Sequence, residues 1–134
     1  MSNIESIEGI GPSFAEKLRE IGINTAEQLL SKGATPAGRK DIASKTGISS
    51  TYILKWVNMA DLFRINGVAG QFAEILEAAG VDTVKELRNR NAENLYKKIN
   101  EVNEEKKLVR QTPNEKKVTE WVQEAKTLPP MVAY

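Results

Sequence analysis

Cysteine and histidine are both absent from this sequence of 134 residues. Without them there is no thiol nucleophile, disulfide, imidazole base or tetrahedral zinc site. Most hydrolytic and redox chemistry loses its usual side chains, so the expectation is a protein that is not an enzyme and needs no cofactor or metal. Long apolar runs are missing too, and nothing approaches the roughly 20 residues that span a bilayer. The opening M-S-N-I-E-S-I-E has acidic residues where a signal peptide carries basic ones. A cytoplasmic chain away from membranes is expected. An excess of one charge is also lacking: 19 Lys and Arg against 18 Asp and Glu leave a formal net charge of +1. A nucleic-acid partner would therefore have to meet a local basic face. Finally, no segment alternates apolar and polar residues over a useful length, which argues against strands.

What is present is an internal repeat. At a constant spacing of 58 residues, Gly9, Phe14, Ala15, Leu18, Gly22, Thr25 and Leu29 recur as Gly67, Phe72, Ala73, Leu76, Gly80, Thr83 and Leu87. Ile10 and Ile23 return as Val68 and Val81. Toward the ends of the halves Trp56-Val57 matches Trp121-Val122 at a spacing of 65, so the second half holds seven extra residues. The basic stretch 103–113 is the expected place for part of them. A unit of about 60 residues, copied once, explains these matches.

Helical signals fill each half. Pro12 suits a first helical position, where its missing N–H costs nothing. Phe14, Leu18 and Ile21 then share a face, and Gly22 offers a left-handed stop. Thr25 and Gln28 make a capping box, repeated as Thr83 and Glu86. Further helices are expected from Thr35-Pro36 to about Lys45, from Ser49 to Met59, from Asn91 to about Glu101, and from Thr112-Pro113 to near Lys126. The expected fold is all-α, with about ten short helices in duplicated five-helix units. Residues 1–62 form the first unit and 63–128 the second, packed as one body. Residues 129–134 are a tail whose last four residues are frayed.

The pattern I-x-G-I-G-x-x-x-A-x-x-L-x-x-x-G-[IV] resembles the helix-hairpin-helix motif of DNA-repair and recombination proteins. Ile7, Gly9, Ile10, Gly11, Ala15, Leu18, Gly22 and Ile23 carry it here. Two glycines around one apolar residue allow a sharp turn, and backbone amides from Gly11 to Ser13 emerge at a helix start where a phosphate oxygen can sit. Such contacts hold a nucleic-acid backbone without reading its sequence. Lys17 and Arg19 are the cations beside this first turn. In the second copy Ala69 replaces the second glycine and no cation follows closely. Gly67 and Gly70 remain as the candidate positions of this weaker phosphate site.

Charge is unevenly spread. Residues 4–30 hold two basic and five acidic side chains, whereas residues 31–64 hold six basic and two acidic. Residues 85–128 hold eleven basic and eight acidic. Arg39, Lys40, Lys45 and Lys55 in the first basic segment, and Lys85, Arg88, Arg90, Lys97, Lys98, Lys106, Lys107, Arg110, Lys116 and Lys117 in the second, could therefore supply diffuse positive charge to a backbone, or could be ordinary solvated residues with i,i+4 partners. Ala43, Gly47, Ile48, Ile53 and Trp56 also have helix-turn-helix spacing, which would turn Ser50, Thr51, Tyr52 and Lys55 outward. A plain helix pair inside a bundle explains the same spacing. Trp56 and Trp121, at matching positions, read as core anchors rather than stacking platforms.

From about residue 4 to 128 the chain resembles a bacterial family known only as domain-of-unknown-function family 4332. The segments that carry the likeness are I-E-G-I-G-P, A-T-P-x-G-R-K, T-G-I-S, L-K-W-V-N-x-A-D-L, A-G-V-D-T-V-K-E-L and V-N-E-E-K-K-L-V-R. The resemblance implies a tandem helix-hairpin-helix fold. The leading functional expectation is a monomeric nucleic-acid-binding module that prefers DNA to RNA and uses Gly9, Gly11, Ser13, Lys17, Arg19, Arg39, Lys40, Lys55, Gly67 and Gly70. The alternative is a protein-interaction module whose glycine turns only organise the bundle.

Overall fold

Helix starts are written into this chain by short polar side chains. In the computed structural model, which describes residues 2–134, Thr25, Thr35, Thr83, Asn91 and Asn114 each accept a hydrogen bond from the amide three residues on. Each thereby satisfies one of the donors that a helix start leaves open. The helices that follow are α2 (Ala26–Gly33), α3 (Pro36–Thr46), α6 (Val84–Leu87), α7 (Ala92–Lys106) and α8 (Glu115–Ala125). The remaining helices are α1 (Pro12–Glu20), α4 (Ser50–Leu62) and α5 (Gly70–Ala78), and a 3-10 turn spans Ile4–Ser6. The fold is all-helical. Among the described residues the only extended pairing is an isolated bridge between Asn3 and Thr25.

The chain divides into two compact units, residues 2–61 with 131–134 and residues 62–130. In the first, α2 packs on α3 over a core that includes Leu18, Leu29, Ile42 and Ile53, all essentially inaccessible to water. The second packs α5 on α7 and both α6 and α7 on α8, around Leu76, Leu87, Ile99 and Val118. Trp56 and Trp121 are buried in their own units, as expected of core anchors.

Matching residues adopt matching local geometry. Gly9 and Gly67 have φ of +97° and +85°, a left-handed conformation that a side chain would strain. Ile10 N donates to Ile7 O and Val68 N to Ile65 O, each at 3.1 Å. The helices after these turns stop alike, with Ile23 N on Leu18 O and Val81 N on Leu76 O. Each tryptophan meets its phenylalanine at nearly the same tilt: Phe14 and Trp56 are 5.1 Å apart at 57°, Phe72 and Trp121 5.5 Å apart at 56°. By contrast Gly11, expected to be needed for the turn, has an ordinary extended backbone (φ −85°). Its counterpart Ala69 is extended as well, so alanine there brings no strain.

Several expectations need correction. The described residues hold eight α-helices and one 3-10 turn rather than about ten helices, because α4 runs on to Leu62 and residues 63–67 form turns. Helix α8 starts at the Asn114 cap, two residues later than expected: the Thr112 hydroxyl donates to Asn100 Oδ1 at 2.8 Å. Helix α7 is four residues longer than α3 and the link 107–114 five longer than 47–49, while the starts of α6 and α7 are two residues closer than those of α2 and α3, which leaves the net seven. Nor is the C-terminus frayed. Ala133 N donates to Ala34 O at 2.8 Å, and Tyr134 Oη hydrogen-bonds Asn58 Oδ1.

The capping box forms in full at Thr25, where Gln28 N donates to the hydroxyl at 3.1 Å and Gln28 Oε1 accepts from the amides of Asn24 and Thr25. At Thr83 the hydroxyl accepts from Glu86 N, but the Glu86 carboxylate faces Arg90 at 3.5 Å. Thr25→Ala is expected to lower stability by about 1 kcal/mol. Urea unfolding would show it as a lower midpoint with an unchanged slope; an unchanged midpoint would contradict the cap's role.

Candidate nucleic-acid interface

Helix α1 follows the Gly9 turn, and its N-cap, Gly11, has no side chain with which to accept a hydrogen bond. Pro12 lacks an N–H, which leaves the amides of Ser13 and Phe14 as the open donors of the first turn. No acceptor among the described residues meets them, and Gly11, Pro12 and Ser13 are exposed. Beneath the turn lies Trp56: a Cβ added to Gly9 would stand 3.2 Å from its Nε1.

The expected cations do not all serve this turn. Lys17 is exposed on α1, about one turn from the open amides. Arg19, further along α1, is held by Glu5 at 3.0 Å and by Asn3 Oδ1 at 3.1 Å. Arg39 is buried. Its guanidinium donates to Gly33 O at 2.8 Å and to Ala133 O at 2.6 Å, so it serves the interior of the first unit and is withdrawn from any phosphate-facing role. Lys40 and Lys55 are exposed on α3 and α4, while Lys45 pairs with Asp41.

Between α3 and α4 the helix-turn-helix spacing produces its expected bend. Gly47 is left-handed (φ +74°), and Ile48 is buried in the corner. Ser50, Thr51, Tyr52 and Lys55 face out. An open groove of about 770 Å³ runs along this pair, lined by Pro36, Lys40, Ala43, Ser50, Thr51 and Leu54 among others.

In the second unit Gly70 stands where Pro12 stands in the first. Helix α5 therefore keeps the N–H groups of Gly70, Gln71 and Phe72, and its N-cap Ala69 has no side-chain hydrogen bond either. Two cations of the second basic segment, which spacing alone did not assign to this turn, lie close by. Lys117 sits over the Phe72 ring at 5.9 Å, with Nζ 4.0 Å from where a Cβ of Gly67 would be. Arg110 shares a groove with Gln71 and Lys117. The extra residues of the second half were the available signal, since Arg110 falls in that stretch; so was the exchange of Tyr52 for Lys117 at equivalent positions.

Among the described residues no helix is long and apolar enough to cross a membrane. No curated protein and no solved structure matches the chain. Residues 8–128 match the model of a family described as a domain of unknown function, DUF4332, and the chain belongs to that family.

Proposed function

We propose that this chain is a non-enzymatic module of the helix-hairpin-helix kind that holds a nucleic-acid backbone without strong sequence preference. One observation carries the reading. Of the eight α-helices among the described residues, only α1 and α5, the two that follow the Gly9 and Gly67 turns, begin without a side-chain acceptor. The other six have one, including α4, where Ser49 Oγ accepts from Thr51 N at 3.3 Å. A chain that caps so consistently elsewhere leaves donors open at the exposed Gly11–Ser13 corner, where the helix dipole favours a phosphate oxygen. Lys17 supplies nearby positive charge and Lys40 and Lys55 a more diffuse contribution. The nucleic acid is DNA in preference to RNA, bound by a monomer.

With about two phosphates neutralised, duplex DNA binding should weaken roughly tenfold between 50 and 200 mM salt. Fluorescence anisotropy with a labelled duplex reads this directly. Lys17→Gln should lower the salt slope by about one. No binding at the lower salt would sink the proposal. It would favour the alternative, a protein-interaction module, for which the open α3–α4 groove is the supporting feature.

A further inference from the structure

We propose that the second unit carries a phosphate-binding pocket built by the link between α7 and α8, a segment much longer than its counterpart in the first unit. The groove has a volume of about 390 Å³, and its walls include Gln71 and Phe72 of α5, Arg110, Gln111 and Asn114 of the link, and Lys117 of α8. No carboxylate lines it. Three cations elsewhere are answered by acidic neighbours one turn away: Lys45 by Asp41, Arg90 by Glu86 and Lys97 by Glu93. Arg110 and Lys117 have no ion-pair partner among the described residues.

The other polar groups around the pocket favour the same ligand. Gln71 lies in the first turn of α5, whose open amides add donors and the positive end of a helix dipole. Asn114 Oδ1 is already engaged by Lys117 N at 2.8 Å, and the Thr112 hydroxyl by Asn100. Under the adjoining Gly67 turn the Trp121 indole N–H is buried with no acceptor, 3.6 Å from where a Cβ of Gly67 would lie. The Glu124 carboxylate at this turn is taken up by Asn66 N at 3.1 and 3.3 Å. What remains is two cations and a set of donors with little to accept from them. A phosphate group offers only acceptors and a negative charge, and the arginine fork fits it in two-point fashion. The groove is also large enough for the organic part of a phosphate ester.

The first unit lacks these parts. Its equivalent link is residues 47–49, and Tyr52 replaces Lys117, stacking on Trp56 at 6.0 Å. The site is therefore independent of the Gly11 contact, and the two can fail separately.

Titrating the nitrogen-15-labelled full chain with inorganic phosphate, at ionic strength held constant with chloride, tests the pocket. Saturable shifts are expected at the Gln71 and Phe72 backbone amides and the Gln111 side-chain amide, and no comparable shift at Ser13 or Phe14. The R110Q/K117Q variant should bind at least about tenfold more weakly while the rest of the spectrum is unchanged. A dinucleotide with and without a 5′-phosphate identifies the source. Preference for the phosphorylated form assigns a terminal phosphate, and equal binding that the double substitution abolishes assigns a backbone diester. Shifts that never saturate, or that survive R110Q/K117Q, overturn the proposal.

Discussion

Arg39→Ala should destabilise the protein by about 3 kcal/mol, a fall in Tm of roughly 10 °C for a chain of this size. Helix α2 ends at Gly33 with Ala34 in a right-handed conformation, so no left-handed residue turns the chain back to satisfy the last carbonyls. Arg39, six residues on, does part of that work. One guanidinium nitrogen donates to the buried Gly33 carbonyl and another to Ala133 O. Truncation leaves a buried acceptor unpaired and removes a packed stem, the kind of loss that exceeds the net worth of the bonds themselves. Lysine has one ammonium and no fork, so Arg39→Lys should recover less than half of the loss. Deleting residues 131–134 removes only the outer partner and should cost less than Arg39→Ala. Urea unfolding of the three variants measures the order; a near-neutral Arg39→Ala would show that the guanidinium is not holding this corner.

Gly38→Ala tests the same junction from its other side and pits two effects against each other. Glycine inside a helix is ordinarily unfavourable, so alanine alone should add about 1 kcal/mol. Here the added Cβ would collide with the backbone carbonyl of Lys32, an atom that cannot swing aside as a side-chain tip can. Overpacking against backbone costs about 3 kcal/mol and should win, for a net loss near 2 kcal/mol. Gly11→Ala is the control, because a Cβ there meets nothing within 4 Å and φ is ordinary. Its stability should be almost unchanged. Should Gly38→Ala prove stabilising, α2 and α3 are further apart than described.

Much of the helical framework was legible before any coordinates. Thr25, Thr35 and Asn91 cap the helices expected of them, because a cap is a local interaction between residues a few positions apart. The glycine turns were legible for the same reason, although only the first glycine of each needs its freedom. Less could be read at Thr112-Pro113. That pair has the local signature of a helix start, but its hydroxyl goes to Asn100 on a different helix and the cap passes to Asn114.

The candidate site divides in the same way. Spacing along the chain placed the open amides after Gly9 and Gly67 and the burial of the two tryptophans, since each depends on backbone geometry or on a repeated apolar pattern. Spacing could not say which cations face solvent. Arg39 and Lys40 are neighbours in sequence, yet the first is buried against two carbonyls and the second is exposed. Nor could it bring Arg110 and Lys117 beside Gln71, about forty residues earlier. Helix periodicity, caps and left-handed glycines are settled within a turn or two of chain. A charged side chain's surroundings come from segments far apart in sequence, and only the packing of those segments decides whether it meets a carbonyl, a carboxylate or an open groove.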